Sequence, residues 1–264
     1  MRETPLVSII MPSYNSAAFI GEAIRSVQGQ THHNWELIIV DDASCDATVS
    51  IISDFLNNDP KINLLVNPVN RGAGYSRNRG IKAAAGDFIA FLDTDDIWLP
   101  GKLETQLKFM EENNLEMTFS SYFLMDENGR KLSKMIKALP VLTFEKLLRS
   151  NYVGNLTGIY DVRKTGIVLA PEIRKRQDWA LWLSILKKHG KTFGISEPLA
   201  VYRVRENSIS NNKVALLKYN YSIYKDFLGL GLLKSSTSML RFLYEHFFVK
   251  SRQTKNLDEG SELL

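Results

Sequence analysis

The sequence predicts an α/β fold: an open, mostly parallel (mixed) Rossmann-like sheet with helices on both faces, and a helical segment at the C-terminal end. Three observations carry that expectation. Apolar, β-branched runs alternate with helical patterns four times over residues 7–113, the order of a parallel sheet with right-handed crossovers. The run Leu37-Ile38-Ile39-Val40 is apolar at every residue, as a strand buried on both faces must be. Aspartate-bearing clusters follow the strands directly, at the edge where such sheets bind ligands.

The elements follow in order. Val7-Ser8-Ile9-Ile10-Met11 reads as a strand ending at Pro12, followed by a helix over 17–28. The second strand, 37–40, stops at Asp41-Asp42 and leads into an amphipathic helix over 46–56. A third strand is expected over 63–66 and a third helix over 75–85. Phe88-Ile89-Ala90-Phe91-Leu92 is the fourth strand, running into Asp93-Thr94-Asp95-Asp96. A helix over 100–113 follows, with Pro100 in its first turn, where a missing N–H is harmless. In the second half the pattern is less regular. It gives a strand over 117–125 with a turn at Glu127-Asn128-Gly129, a helix over 177–188 and a strand over 199–202. Trp179, Trp182, Leu183 and Leu186 share one face of that helix, so both tryptophans read as core. From about residue 213 the pattern is helical, aromatic and basic, broken by Gly229 and Gly231.

Composition narrows the function classes. With 264 residues, 44% apolar and 23% charged, the chain is of ordinary globular type. One cysteine, Cys45, leaves no internal disulfide framework. The formal charge of +4 is too mild for a nucleic-acid partner, which would call for a dense basic stripe. The N-terminal apolar stretch is too short for a signal peptide, and no uncharged span reaches membrane-crossing length, so a cytoplasmic protein, free to touch the inner membrane face, is expected.

Five aspartates, Asp41, Asp42, Asp93, Asp95 and Asp96, fall at one sheet edge together with Pro12-Ser13-Tyr14-Asn15. Carboxylates so close repel one another and are forced to take up protons unless a cation relieves them. Oxygen-only ligands favour Mg²⁺ or Mn²⁺, and such a metal attracts a diphosphate. The bland alternative is that these residues are turn and helix-cap aspartates. Other chemistries fail. Gly72-x-Gly74 lacks the third glycine of a dinucleotide fingerprint, and no phosphate-cradling lysine follows. A hydrolase nucleophile elbow and a zinc ligand pattern are both missing.

Four motifs stand in a recognisable order: Val7 to Asn15, Leu37 to Ser44, Asn70-x-Gly72 with Arg77-Asn78-x-Gly80, and Gly86 to Asp96. With them the chain resembles the family-two nucleotide-sugar glycosyltransferases of the GT-A fold. Within that family it is similar to the small bacterial enzymes of O-antigen, capsule and teichuronic acid biosynthesis. A fainter match runs through Gln177-Asp178-Trp179 and Glu197 to Arg203. The resemblance implies that Pro12 and Tyr14, with Asn15 beside them, flank a nucleobase, and that Asp42 accepts its ring N–H. It further implies that Arg77 lies near the nucleotide, that Asp93 faces the ribose or sugar, and that Asp95, with Asp96 sharing the duty, holds the metal. Asp178 matches the catalytic base; its alternative is a helix N-cap. Gln177 stands where the family often has Glu, and Arg205 stands two residues after Tyr202-Arg203, where many members carry His.

The expected activity is therefore an inverting, metal-dependent transfer from a UDP-sugar to a glycan or glycolipid hydroxyl, probed below. A sugar-phosphate nucleotidyltransferase would need a glycine-rich loop after the first strand, where Ser13-Tyr14-Asn15-Ser16 stands instead. A nucleotide-sugar binding subunit without catalysis is the reading from a different class. The expected organisation is a GT-A domain over 1–212, with a donor half (1–112) and an acceptor half (113–212), and a tail over 213–264. Eight basic against two acidic residues give 213–255 a charge of +6. Interleaved with aromatics, that segment suits an anionic membrane surface; the alternatives are a hairpin packed on its own domain or on a second subunit of a homodimer.

Overall fold

A central strand that alternates apolar residues must feed two cores at once, and this sheet is built that way. The computed structural model describes residues 4–171, 173–205 and 213–257. The expected boundary at residue 212 and the end of the tail, 258–264, lie outside them. The first half runs β1 (Val7–Ser13), α1 (Ile20–Gln28), β2 (Trp35–Asp41), α2 (Thr48–Leu56), β3 (Ile62–Val66) and α3 (Ala73–Ala83). It continues with β4 (Phe88–Phe91), β5 (Ile97–Trp98) and α4 (Lys102–Glu112). The second half holds β6 (Met117–Met125), β7 (Lys131–Ile136), β8 (Val141–Thr143), α5 (Phe144–Arg149), β9 (Ile159–Asp161) and α6 (Val162–Thr165). There follow α7 (Gln177–His189), β10 (Lys191–Arg203), α8 (Lys213–Ser222), α9 (Leu232–Tyr244) and β11 (Thr254–Asn256).

The strands form one open sheet in the order β11-β7-β6-β9-β4-β1-β2-β3, with β10 joined to β5, β6 and β8. Strands β4, β1, β2 and β3 are mutually parallel, whereas β9 meets β4 and β6 antiparallel. The mixed character thus begins where the βα repeat ends. Ile9 and Met11 of β1 pack with α1, α2 and α4 on one face. Ile10 and its neighbours Ile38, Val40, Ile89 and Phe91 pack with Ile81, Trp179 and Trp182 on the other. Helices therefore cover both faces, as the sequence pattern predicts.

Pro12 lies inside β1, opposite Val40, and does not end it. The β1–β4 register stops at Ile10↔Phe91, so no ladder bond is asked of the Pro12 nitrogen. The strand expected over 199–202 is the end of the much longer β10, in which register shifts around Pro198 absorb the proline. Both tryptophans of α7 are fully buried, and Gly158 permits this: a Cβ there would lie 2.2 Å from the Trp182 ring.

The tail has two unlike faces. Its inner face packs on the domain, with Tyr224 and Phe242 each 5.8 Å from the Trp179 ring. Tyr224 donates its hydroxyl proton to Leu148 O at 2.8 Å, and β11 pairs antiparallel with β7. Buried Glu245 accepts from Lys146 and from the Tyr152 hydroxyl. The outer face leaves Leu232, Leu233, Leu240, Tyr244, Phe247 and Phe248 at 62–81% exposure. No helix among the described residues is long and apolar enough to cross a membrane.

Candidate active site

Parallel strands end in turns whose backbone donors need acceptors, and the aspartates and asparagines here supply them. After β1 the chain turns through Asn15 at φ 45°. Asn15 donates its backbone N–H to Ser44 Oγ and accepts from Cys45 N, both at 2.9 Å, which staples the β1 and β2 turns together. Pro12 is buried beneath this corner, and Tyr14 stands half-exposed on its rim. Asp41 closes its own turn by accepting from Ser44 N and Oγ. Asp42, 2% exposed, accepts from Asn67 Nδ2 at 2.7 Å, from Arg71 N at 3.0 Å and from Gly72 N at 2.6 Å. Its carboxylate thus draws the 70–72 loop to the sheet edge, helped by the positive φ of 88° that Gly72 adopts.

The aspartate run after β4 is matched by three arginines. Arg77, from α3, donates Nη2 to Asp93 Oδ1 at 2.6 Å. Burial opposes the charge of Arg77, but Asp93, then Asp178 and Asp95, outweigh it and raise its pKa. Asp93 touches this guanidinium directly, whereas Asp178 and Asp95 act on it through their charge alone. Asp93 Oδ2 also accepts from Asn155 Nδ2 at 3.4 Å. Asp95 meets Arg205 Nη1 at 3.1 Å and remains part exposed. Asp96 is buried and accepts from Arg203 N at 3.0 Å, which ties the end of β10 to the aspartate turn. Arg203 itself donates to Asp95 O and to Glu22. Burial, then the charge of Asp93, pushes the Asp95 carboxyl up; burial with Asp95 and Asp93 pushes Asp96 well above the usual carboxylate range.

The opposite side of the cleft is the start of α7. Its N-cap is Arg176, in the left-handed region at φ 70°, and no side chain caps the helix. Asp178, expected as base or cap, is thus no cap: its Oδ2 accepts from Asn151 Nδ2 at 2.7 Å. Gln177 spans the two sides, accepting from Arg77 Nη1 at 3.2 Å and donating its amide to Ile173 O. A glutamate could not make the second bond, which gives the glutamine a physical reason. Gly74 leaves room for it, since a Cβ there would fall 2.2 Å from Gln177 Nε2.

Sequence reasoning missed Asn151, Asn155 and the carboxamide role of Gln177. The two asparagines flank Tyr152, Val153 and Gly154 in a region without periodicity, so the sequence carries no signal for them. Tertiary packing places them: that of α5 on α7 for Asn151, and that of β9 beside β4 for Asn155.

The donor set suits a hard divalent cation in one specific way. No cluster of three or more His, Cys, Asp or Glu in metal-holding arrangement occurs among the described residues. Mg²⁺-type ions bound with substrate phosphates ordinarily take only one or two carboxylates. Two carboxyls driven toward protonation by burial and by neighbouring aspartates are what a cation would relieve.

The family described as Glycosyl transferase family 2 matches residues 8–163. TuaG of Bacillus subtilis, named for glycosyltransferase work in teichuronic acid biosynthesis, is 40% identical over 238 residues, 90% of this chain and 94% of that protein. The Escherichia coli UDP-Glc:alpha-D-GlcNAc-diphosphoundecaprenol beta-1,3-glucosyltransferase WfgD is 39% identical over 224 residues, 84% of this chain and 87% of that protein. The crystal structure of S. aureus TarS 1-349 in complex with UDP-GlcNAc matches at TM-score 0.67 and 22% identity, covering 91% of this chain and 72% of that one. That last likeness speaks for the GT-A-like fold.

Proposed function

The chain belongs to glycosyl transferase family 2, and from that premise we propose that it transfers a sugar from a UDP-sugar to a hydroxyl of a lipid-linked cell-surface glycan, with inversion and with a divalent metal. The observation that carries this reading is that Arg77 joins Asp93 at 2.6 Å and Gln177 at 3.2 Å, which sets the aspartate run beside the start of α7 and its Asp178. The names of TuaG and WfgD support a cell-surface polysaccharide product, and the latter a UDP-linked donor and a diphospholipid acceptor.

On this reading Pro12, Tyr14 and Asn15 form the nucleobase corner, with Asp42 accepting the ring N–H as one of its loop contacts yields. Arg77 holds Asp93 toward the ribose and sugar. Asp95, the part-exposed member of the run, is the principal carboxylate for Mn²⁺ or Mg²⁺, and Asp96 backs the turn through Arg203. The metal would stabilise the charge that develops on the leaving diphosphate oxygen. Asp178, fixed through Oδ2 by Asn151, presents its other oxygen to the acceptor hydroxyl and takes its proton. Such a base supplies on the order of 10²–10⁴-fold in rate. Attack from that side is a single displacement, so the anomeric centre inverts. Residues 1–112 serve the donor and 113–212 the acceptor. The tail, with its charge of +6 over 213–255 and its exposed apolar row, rests on an anionic membrane from the cytoplasmic side.

The test is a panel of nucleoside diphosphate sugars scored for nucleoside diphosphate release, with a diphospholipid-linked sugar as acceptor and with Mn²⁺ or EDTA. Release is expected with a UDP-sugar, only when acceptor and Mn²⁺ are both present. Binding of the UDP-sugar without release under any acceptor would instead mark a non-catalytic subunit.

A further inference from the structure

The acceptor side of the cleft holds two cations that the transfer step does not use. Arg176 sits at φ 70° immediately before α7, and its Nε is buried without a hydrogen-bond partner. Lys250, in the tail, donates its ammonium to Asn151 O. Asn151 is the residue whose side-chain amide holds Asp178, so Lys250 and Asp178 grip opposite ends of one residue. Among the described residues neither Arg176 nor Lys250 forms a salt bridge, although both sense the charge of Asp178. Burial, and then the like charge of Arg176, brings the Lys250 ammonium down to about 8, against the attraction of Asp178. Lys250 is held at Asn151, which also holds Asp178, and Arg176 lies two residues before Asp178. Two cations so placed, with no salt bridge among the described residues, are costly to keep, and a bound anion removes that cost. Backbone strain at Arg176 fits a residue positioned for a ligand.

We propose that Arg176 and Lys250 form a phosphate subsite beside Asp178, which takes the phosphate or diphosphate joining the acceptor sugar to its lipid. The surroundings match that chemistry. The residues that lead to Lys250 include Tyr244, Phe247 and Phe248, each 62% exposed, with the Tyr244 and Phe248 rings 5.4 Å apart. An anionic head next to an exposed apolar row is the complement of an amphiphile with a charged link and a hydrocarbon chain. The tail then does more than rest on a membrane: it supplies one of the two cations that select the acceptor. This inference rests on the reading of a phosphate-bearing, lipid-linked acceptor.

The test uses the full chain with Mn²⁺ and saturating UDP, so that the donor diphosphate site is filled. Farnesyl diphosphate, inorganic pyrophosphate and farnesol are titrated by calorimetry against the wild type and against Arg176→Gln, Lys250→Gln, Arg176→Lys and Lys250→Arg. Farnesyl diphosphate should bind and farnesol should not compete with it. Each Gln variant should weaken that binding at least tenfold, while the charge-keeping variants restore most of it and UDP affinity stays unchanged. Arg176→Gln carries the test by itself if Lys250→Gln lowers the unfolding midpoint. Pyrophosphate bound as tightly as farnesyl diphosphate would overturn the lipid-linked source. Farnesyl diphosphate binding that survives both Gln substitutions would overturn the subsite. A wild type that fails to bind UDP would instead fail the transferase reading, so the two failures are told apart.

Discussion

The two sides of the cleft handle charge in opposite ways. On the donor side each carboxylate of the aspartate run already meets an arginine or its backbone: Asp93 with Arg77, Asp95 with Arg205, Asp96 with Arg203 N. On the proposed acceptor side Asp178 accepts from a neutral amide, and among the described residues neither Arg176 nor Lys250 forms a salt bridge. A side that is internally paired changes state by exchanging partners, as Asp95 would on trading Arg205 for a metal. A side that is left unpaired waits for its ligand. Under the proposed function, donor loading is then a rearrangement, whereas acceptor capture is a docking event.

The largest effect that sharpens this contrast comes from Asp178→Asn. Turnover should fall by ~10²–10⁴-fold, the usual yield of a positioned base, with UDP-sugar affinity unchanged. Paired measurements of release rate and donor binding check it, and equal turnover would remove Asp178 as the base. Next in size is Glu245→Ala, which strips part-exposed Lys146 and buried Tyr152 of their shared acceptor and loosens the tail from the domain. Breaking a buried pair costs about 3–5 kcal/mol, and partial exposure of Lys146 at 29% reduces that to about 2–3. Thermal unfolding should therefore shift down by roughly 4–12 °C. The smallest effect is on the donor side. The Asp95–Arg205 pair is part exposed on both partners and is worth about 0.5–1 kcal/mol. Arg205→Gln should accordingly tighten Mn²⁺ binding, followed by electron paramagnetic resonance without donor, by about 2–5-fold. Weaker Mn²⁺ binding in that variant would mean that Arg205 helps hold the cation site and does not compete for it.

The same division explains what the sequence could disclose. The donor side is local: each strand end carries its own polar cluster, so β1, β2 and β4 with Asp42, Asp93 and Asp95 are legible from the βα repeat alone. Helix α7 is legible because the apolar face of Trp179, Trp182 and Leu186 is strongly periodic, whereas Asp178 at its start stands out only through the family resemblance. The rest of the acceptor side is assembled from short or irregular pieces. Strands β5 and β9 are two and three residues long, too short for a period to show. Asn151 reaches Asp178 only because α5 packs on α7 through Leu147 and Trp179, and Trp179 Nε1 donates to Leu147 O at 2.8 Å. Strand β11 is fully exposed in pattern and polar in sequence, and exists through its pairing with β7. In the tail, periodicity reveals an amphipathic helix with one apolar face too many. Only the structure separates the face that packs on Trp179 from the row that stays exposed.

The central claim is that a hydroxyl activated by Asp178 attacks, in one displacement, a sugar held on the opposite side of the cleft. The anomeric configuration of the product, read from its proton NMR coupling constants, tests it most directly. An α-linked UDP-sugar is predicted to yield a β-linked product. An α-linked product would contradict the single displacement and the place of Asp178 in it.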